Sequence, residues 1–68
     1  MRPYIAITTE GALFGIYAAN SEDARNAIER SARAVVAEVH AATNEEQGLF
    51  EGELELSRDT GRAVYIET

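Results

Sequence analysis

Apolar residues recur along this chain with two different periods, and the switches between them divide it into elements. Tyr4-Ile5-Ala6-Ile7-Thr8 is rich in β-branched residues, and Pro3 suits the first position of a strand. Thr9-Glu10-Gly11 reads as a turn. Ala12 to Ala18 is a second apolar run of strand length, so the chain opens with a hairpin. Asn20-Ser21-Glu22-Asp23 then carries a helix-start signature, a capping side chain followed by acids in the first turn. Ala24, Ala27, Ile28, Ser31 and Val35 follow at helical spacing, with Arg25, Asn26, Glu29, Arg30 and Arg33 opposite.

The end of this helix has two readings. In one it stops near Arg33 and Val35 to Ala42 form a strand; in the other it runs to about Thr43. Arg30 and Arg33 favour the first, because cations complement the dipole of a last helical turn. A longer helix would end among Glu45 and Glu46, which carry the wrong sign. Residues 35–42 also alternate, and helical continuation would place Glu38 within the apolar stripe. The helix-forming Ala37, Ala41 and Ala42, and the lack of a glycine at the stop, favour the second.

Asn44 to Gly48 reads as a polar loop. From Leu49 to Ser57, Phe50, Gly52, Leu54 and Leu56 alternate with Glu51, Glu53 and Glu55, the pattern of a half-buried antiparallel strand. Asp59-Thr60-Gly61 closes a tight hairpin, and Arg62 to Glu67 returns as the last strand. The predicted architecture is a single α+β domain over residues 1–68, ordered ββαβββ, with one helix on one face of an antiparallel sheet. The longer helix would make it ββαββ.

Period two then assigns the faces. Ile5, Ile7, Phe14, Ile16, Ile28, Val35, Phe50, Leu54, Leu56, Val64 and Ile66 are expected beneath the helix. Tyr4, Leu13, Tyr17, Val36, Leu49 and Tyr65 are expected on the uncovered face beside Glu51, Glu53 and Glu55. Tyrosine suits interfaces because it joins apolar area to a polar tip at little rotamer cost, although it is also common on any sheet. The predicted partner-binding set is therefore Tyr4, Tyr17, Tyr65, Leu13, Glu51, Glu53 and Glu55.

Composition narrows the partner. Among 68 residues, 12 acids oppose 6 bases, all of them arginine, for a net charge of −6. Such an excess disfavours direct contact with nucleic acid or an anionic membrane and matches a protein with a basic surface. The same charge also serves solubility. There is no cysteine, so neither disulfides nor thiolate-bound metal assist a chain near the lower size limit for unaided folding. No apolar run approaches the roughly 20 residues needed to span a bilayer, and Met1 to Tyr4 leads into strand-like sequence without a signal-type apolar block. A cytoplasmic location is expected.

Catalytic constellations are missing. Asp59-Thr60-Gly61 matches the triplet of aspartic proteases, but those enzymes pair two aspartates, and a hairpin turn accounts for it better. His40 is the sole histidine and has no cysteine to share a metal with. No glycine-rich phosphate loop is present, and there is no lysine. No enzymatic activity, cofactor or metal is expected.

Several stretches carry a likeness to known proteins: Gly15-Ile16-Tyr17-Ala18-Ala19, Ser21-Glu22-Asp23-Ala24-Arg25, Gly52-Glu53-Leu54-Glu55-Leu56 and Val64-Tyr65-Ile66. Together they span most of the chain, and their layout resembles small phage-encoded anti-CRISPR proteins that inhibit type I systems. The resemblance is one of pattern. It implies a protein-binding inhibitor that engages a subunit of the RNA-guided surveillance complex, blocks access to target DNA, and acts in the cytoplasm of a bacterial host. The opening hairpin and helix also resemble small type II antitoxins, from which Ala18-Ala19-Asn20 departs by lacking a Pro-Gly segment. The competing expectation is a self-associating structural or regulatory module, a homodimer through the tyrosine-rich face.

Overall fold

The tertiary structure, a computed structural model, describes residues 1–67 and is an α+β sandwich of three layers. Strands β1 (Arg2–Thr8), β2 (Leu13–Ala18), β3 (Val36–Ala41) and β4 (Val64–Ile66) form one antiparallel sheet in the order β3-β1-β2-β4. Helix α1 (Ser21–Ala32) lies on one face. Helices α2 (Asn44–Leu49) and α3 (Glu51–Thr60) lie on the other. The α+β class holds, but the observed order is ββαβααβ.

The hairpin, the first helix and its end form as the sequence predicts. Thr8 builds the β1–β2 turn: its backbone N–H donates to the Ala12 carbonyl at 2.9 Å, and its hydroxyl accepts from Ala12 N at 3.1 Å. Gly11 closes that turn at φ +87°, a conformation glycine adopts without steric cost. Asn20 caps α1 by accepting from Asp23 N at 2.8 Å. The helix stops at Arg33, which takes a left-handed conformation (φ 54°). The Glu29 carboxylate then accepts the Val36 N–H at 3.1 Å, tying the first residue of β3 back to α1.

The segment read as a strand over Leu49–Ser57 is helical instead. Phe50, Leu54 and Ser57 recur at four and three residues, and this stripe turns toward the sheet. Leu56, expected in the core, is 51 % exposed. Glutamate at every second position is a poor strand former and a good helix former, which helps decide the matter. The polar loop at 44–48 is α2, started by a capping box in which Thr43 and Glu46 exchange hydrogen bonds. Asp59-Thr60-Gly61 is no hairpin turn but the end of α3: Gly61 caps it at φ +72°, and its N–H donates to the Ser57 carbonyl at 2.7 Å.

Face assignments change accordingly. Tyr4 pairs with Ile16 and Ala6 with Phe14, so these residues share the α1 face. Ile5 pairs with Gly15 and Ile7 with Leu13 on the α3 face, whereas Ile5 and Ile7 were expected beside Phe14 and Ile16. Val35, predicted in the core, precedes β3 and is 63 % exposed, and Val36 is buried in its place. Two cores result. Tyr4, Ala6, Ile16, Ala18, Ala24, Ile28 and Val36 form one beneath α1. Ile5, Leu54 and Ile66 form the other beneath α3, rimmed by Leu13, Tyr17, Ala42 and Phe50. Gly15 lets the second core close, since a Cβ there would lie 3.0 Å from Leu54 Cδ2.

Candidate functional site

The α2–α3 layer concentrates the negative charge. Glu45, Glu46, Glu51, Glu53, Glu55 and Asp59 stand on these helices against Arg58 alone. Around α1, by contrast, Glu22, Asp23 and Glu29 are balanced by Arg25, Arg30 and Arg33. A field of one sign over one layer favours approach by a basic surface.

Within this layer a surface cavity of about 200 Å³ is lined by Tyr17, Gln47, Glu51, Leu54, Glu55 and Arg58. Each wall has a local cause. Glu51, Glu55 and Arg58 follow one another at four and three residues on α3, so they share a face of that helix. The Arg58 guanidinium reaches the Glu55 carboxylate at 3.5 Å, with both side chains more than half exposed. Such a pair contributes little and leaves Glu55 free to exchange partners. Tyr17 lies on β2 beyond the end of β4, which pairs only with Leu13 to Gly15. Its N–H donates instead to the buried Ser57 hydroxyl of α3 at 3.1 Å, fixing strand and helix together at the cavity. Chemically the cavity offers two carboxylates beside a tyrosine in a largely polar lining, a combination suited to a cation.

The structure brings Tyr17, Glu51 and Glu55 together from the predicted set, with Leu13 in the same layer. It separates the others. Tyr4 is buried beneath α1, 7 % exposed. Tyr65 lies on the α1 side of the outer strand β4, 57 % exposed, with its ring edge-on to Phe14 at 5.6 Å. Glu53 is half-buried on α3 and does not line the cavity. The uncovered, tyrosine-lined sheet face therefore does not exist, because helices occupy both faces. Any contact between copies through a tyrosine-rich face would lack Tyr4. Gln47, Leu54 and Arg58 join the site unannounced; the helical spacing of Glu51, Glu55 and Arg58 was the available signal.

His40, isolated in the sequence, has company in the fold. Its Nδ1 lies 2.9 Å from the Glu38 carboxylate, and its Nε2 lies 2.9 and 3.0 Å from the two Glu46 oxygens. The bond to Glu46 is the largest cause that raises the imidazole above its ordinary range; burial opposes it, and Glu38 adds to it. For Glu46, burial pushes upward. The Thr43 backbone N–H and the His40 ring outweigh that and hold the carboxyl below its ordinary range.

Among the described residues no group of three or more histidine, aspartate, glutamate or cysteine side chains is placed to hold a metal ion. No described helix is long and apolar enough to cross a membrane. No protein-family model, curated protein or solved structure matches the chain.

Proposed function

We infer that this chain is a protein-binding inhibitor whose α2–α3 layer captures a basic side chain on the surface of its partner. One observation carries the reading: Tyr17, Glu51 and Glu55 meet around a cavity in the layer that holds the carboxylate excess. An incoming arginine would displace Arg58 from Glu55, gain a second carboxylate at Glu51 and lay its stem against Tyr17. Rim charges supply steering and register, while the desolvated anchor supplies affinity.

The resemblance to inhibitors of type I CRISPR systems makes the surveillance complex the first partner to test. A surface that holds nucleic-acid phosphates is basic, and an acidic layer of this kind competes for it. The test is a competition between the chain and target DNA for a purified type I surveillance complex. The parent chain is expected to displace DNA, and a Glu51→Arg/Glu55→Arg double variant is expected to lose at least tenfold in affinity, about 1.4 kcal/mol. Displacement by the double variant equal to that by the parent would remove the cavity from the interface. A parent chain that leaves DNA bound would remove the surveillance complex as its target.

A further inference from the structure

The contacts of His40 dictate its protonation. Ionised carboxylates accept hydrogen bonds and cannot donate them, whereas a neutral imidazole has one N–H and one lone pair. Both ring nitrogens here face carboxylate oxygens at 2.9–3.0 Å. Both can donate at once only when the ring is an imidazolium. A neutral ring would set its lone pair against one of the two carboxylates and lose that contact.

Glu46 does double duty at this point. Its Oε1 accepts the Thr43 N–H at 2.9 Å to complete the capping box of α2, while both of its oxygens face His40 Nε2. Helix α2 has few other attachments. It is six residues long, contains Gly48 and buries no residue. A helix so short is not stable by itself in water. The His40–Glu46 pair is its charged link to the sheet, since Gln47 adds only a bond from its side-chain amide to the Ala42 carbonyl.

We propose that His40 is a proton-operated latch between β3 and α2: doubly protonated, it clamps Glu38 and Glu46 together, and on losing a proton it has one N–H for two carboxylates, so the clamp loosens. Among the described residues no other charged group hydrogen-bonds the ring. β3 itself supplies Glu38, and α2 supplies Glu46. The neighbouring strand β1 brings Pro3, Ile5 and Ile7 to that face and no charge, and α3 contributes no atom to the ring's hydrogen bonds. The latch also works independently of any partner.

The signs fix its window. His40 is raised in the folded chain, so its contribution is full below the ordinary histidine value of about 6.5 and is lost as pH rises through the folded value. Glu46 is lowered, so its contribution is full above the ordinary glutamate value and is lost as pH falls through the folded value. The latch is closed in mildly acidic solution and loosens as pH rises through the folded His40 value.

Nuclear magnetic resonance on the intact chain tests this. In the parent, His40 is expected to titrate above about 6.5 and to show two protonated ring nitrogens below that midpoint. The Glu46 and Gln47 amide signals should move with the same midpoint. Glu46→Gln retains a capping-box acceptor but removes the charge, and is expected to return His40 toward the ordinary value. In His40→Gln the α2 amides should stop responding over that range. Relative to that variant, they should exchange with solvent several-fold more slowly in the parent at pH 5.5, and the difference should shrink as pH rises through the His40 midpoint. An ordinary His40 midpoint in the parent, or α2 amides that respond alike in parent and His40→Gln, overturns the latch.

Discussion

The two faces of the sheet are covered in unlike ways. Beneath α1 the core is broad: Ala24 and Ile28 descend onto Tyr4, Ala6, Ile16, Ala18 and Val36. The charges around α1 balance, Asn20 caps its start, and Glu29 ties its far end to β3. Beneath α3 the buried apolar residues among those described are Ile5, Leu54 and Ile66, and a cavity opens beside Leu54. The carboxylate excess, the Tyr17–Ser57 bond across to the sheet and the His40 cluster all belong to that second side. One layer covers the larger apolar core and the other carries the charge excess. Groups available to a partner must be left partly unsatisfied by the protein itself, and the thinner layer is where that occurs.

Deleting equal volumes from the two cores would break this division most directly. Ile28→Ala removes a side chain with no exposed surface, enclosed by residues of α1 and three strands, and is expected to cost about 3–5 kcal/mol. Leu54→Ala removes a similar volume beside an existing opening into which neighbours can relax, and about 2–3 kcal/mol is expected. Urea titration of both variants measures the difference. Equal losses would mean that the α3 layer is as tightly built as the α1 layer.

A smaller effect, of overpacking, is expected at Gly15. Its Cα faces α3, where a Cβ would stand 3.0 Å from Leu54 Cδ2 and 3.4 Å from Ile66 Cδ1. Gly15→Val would push α3 outward at a cost of about 1–3 kcal/mol while leaving the α1 core in place. Amide signals of α3 and β4 should shift in that variant, and those of α1 should not. Shifts spread evenly over both helices would show that the two layers move as one.

The α1 side was far more legible in the sequence than the α3 side. Asn20, the acids after it and Arg30 mark both ends of α1 by side-chain chemistry, and β3 follows from the alternation of 35–42. The α3 side was misread because Phe50, Gly52, Leu54 and Leu56 satisfy period two, while Phe50, Leu54 and Ser57 satisfy a helix over the same stretch. Over nine residues the two periods share Phe50 and Leu54, so the pattern alone decides little. Thr43-Asn44-Glu45-Glu46 fits a capping box and would have tipped the balance. Tyr4-Ile5-Ala6-Ile7 carried a second signal. A strand apolar at four consecutive positions is covered on both faces, and such coverage leaves no open sheet for three tyrosines to share. Tyr17, Glu51 and Glu55 were grouped in the sequence on one open sheet face, and they do meet, but by another route. Their meeting depends on helical spacing in α3 and on the end of β4, neither of which a strand reading contains.

The smallest expected effect has the opposite sign and sharpens the contrast between the layers. Gly52 lies within α3, exposed, with nothing within 4 Å of where a Cβ would stand and with no positive φ to protect it from substitution. Gly52→Ala should therefore stabilise the helix by about 0.5–1 kcal/mol, because alanine loses less backbone freedom on becoming helical. In a domain of this size that is a rise in melting temperature of about 2–8 °C. The location of the gain matters more than its size. If the α3 layer opens locally while α1 remains packed, the alanine should slow amide exchange in α3 at temperatures where global stability hardly matters. If α3 opens only when the whole domain unfolds, exchange in α1 and α3 should slow by the same factor. A preferential slowing in α3 would identify the acidic layer as the part that gives way first, where local adjustment around an incoming basic side chain costs least.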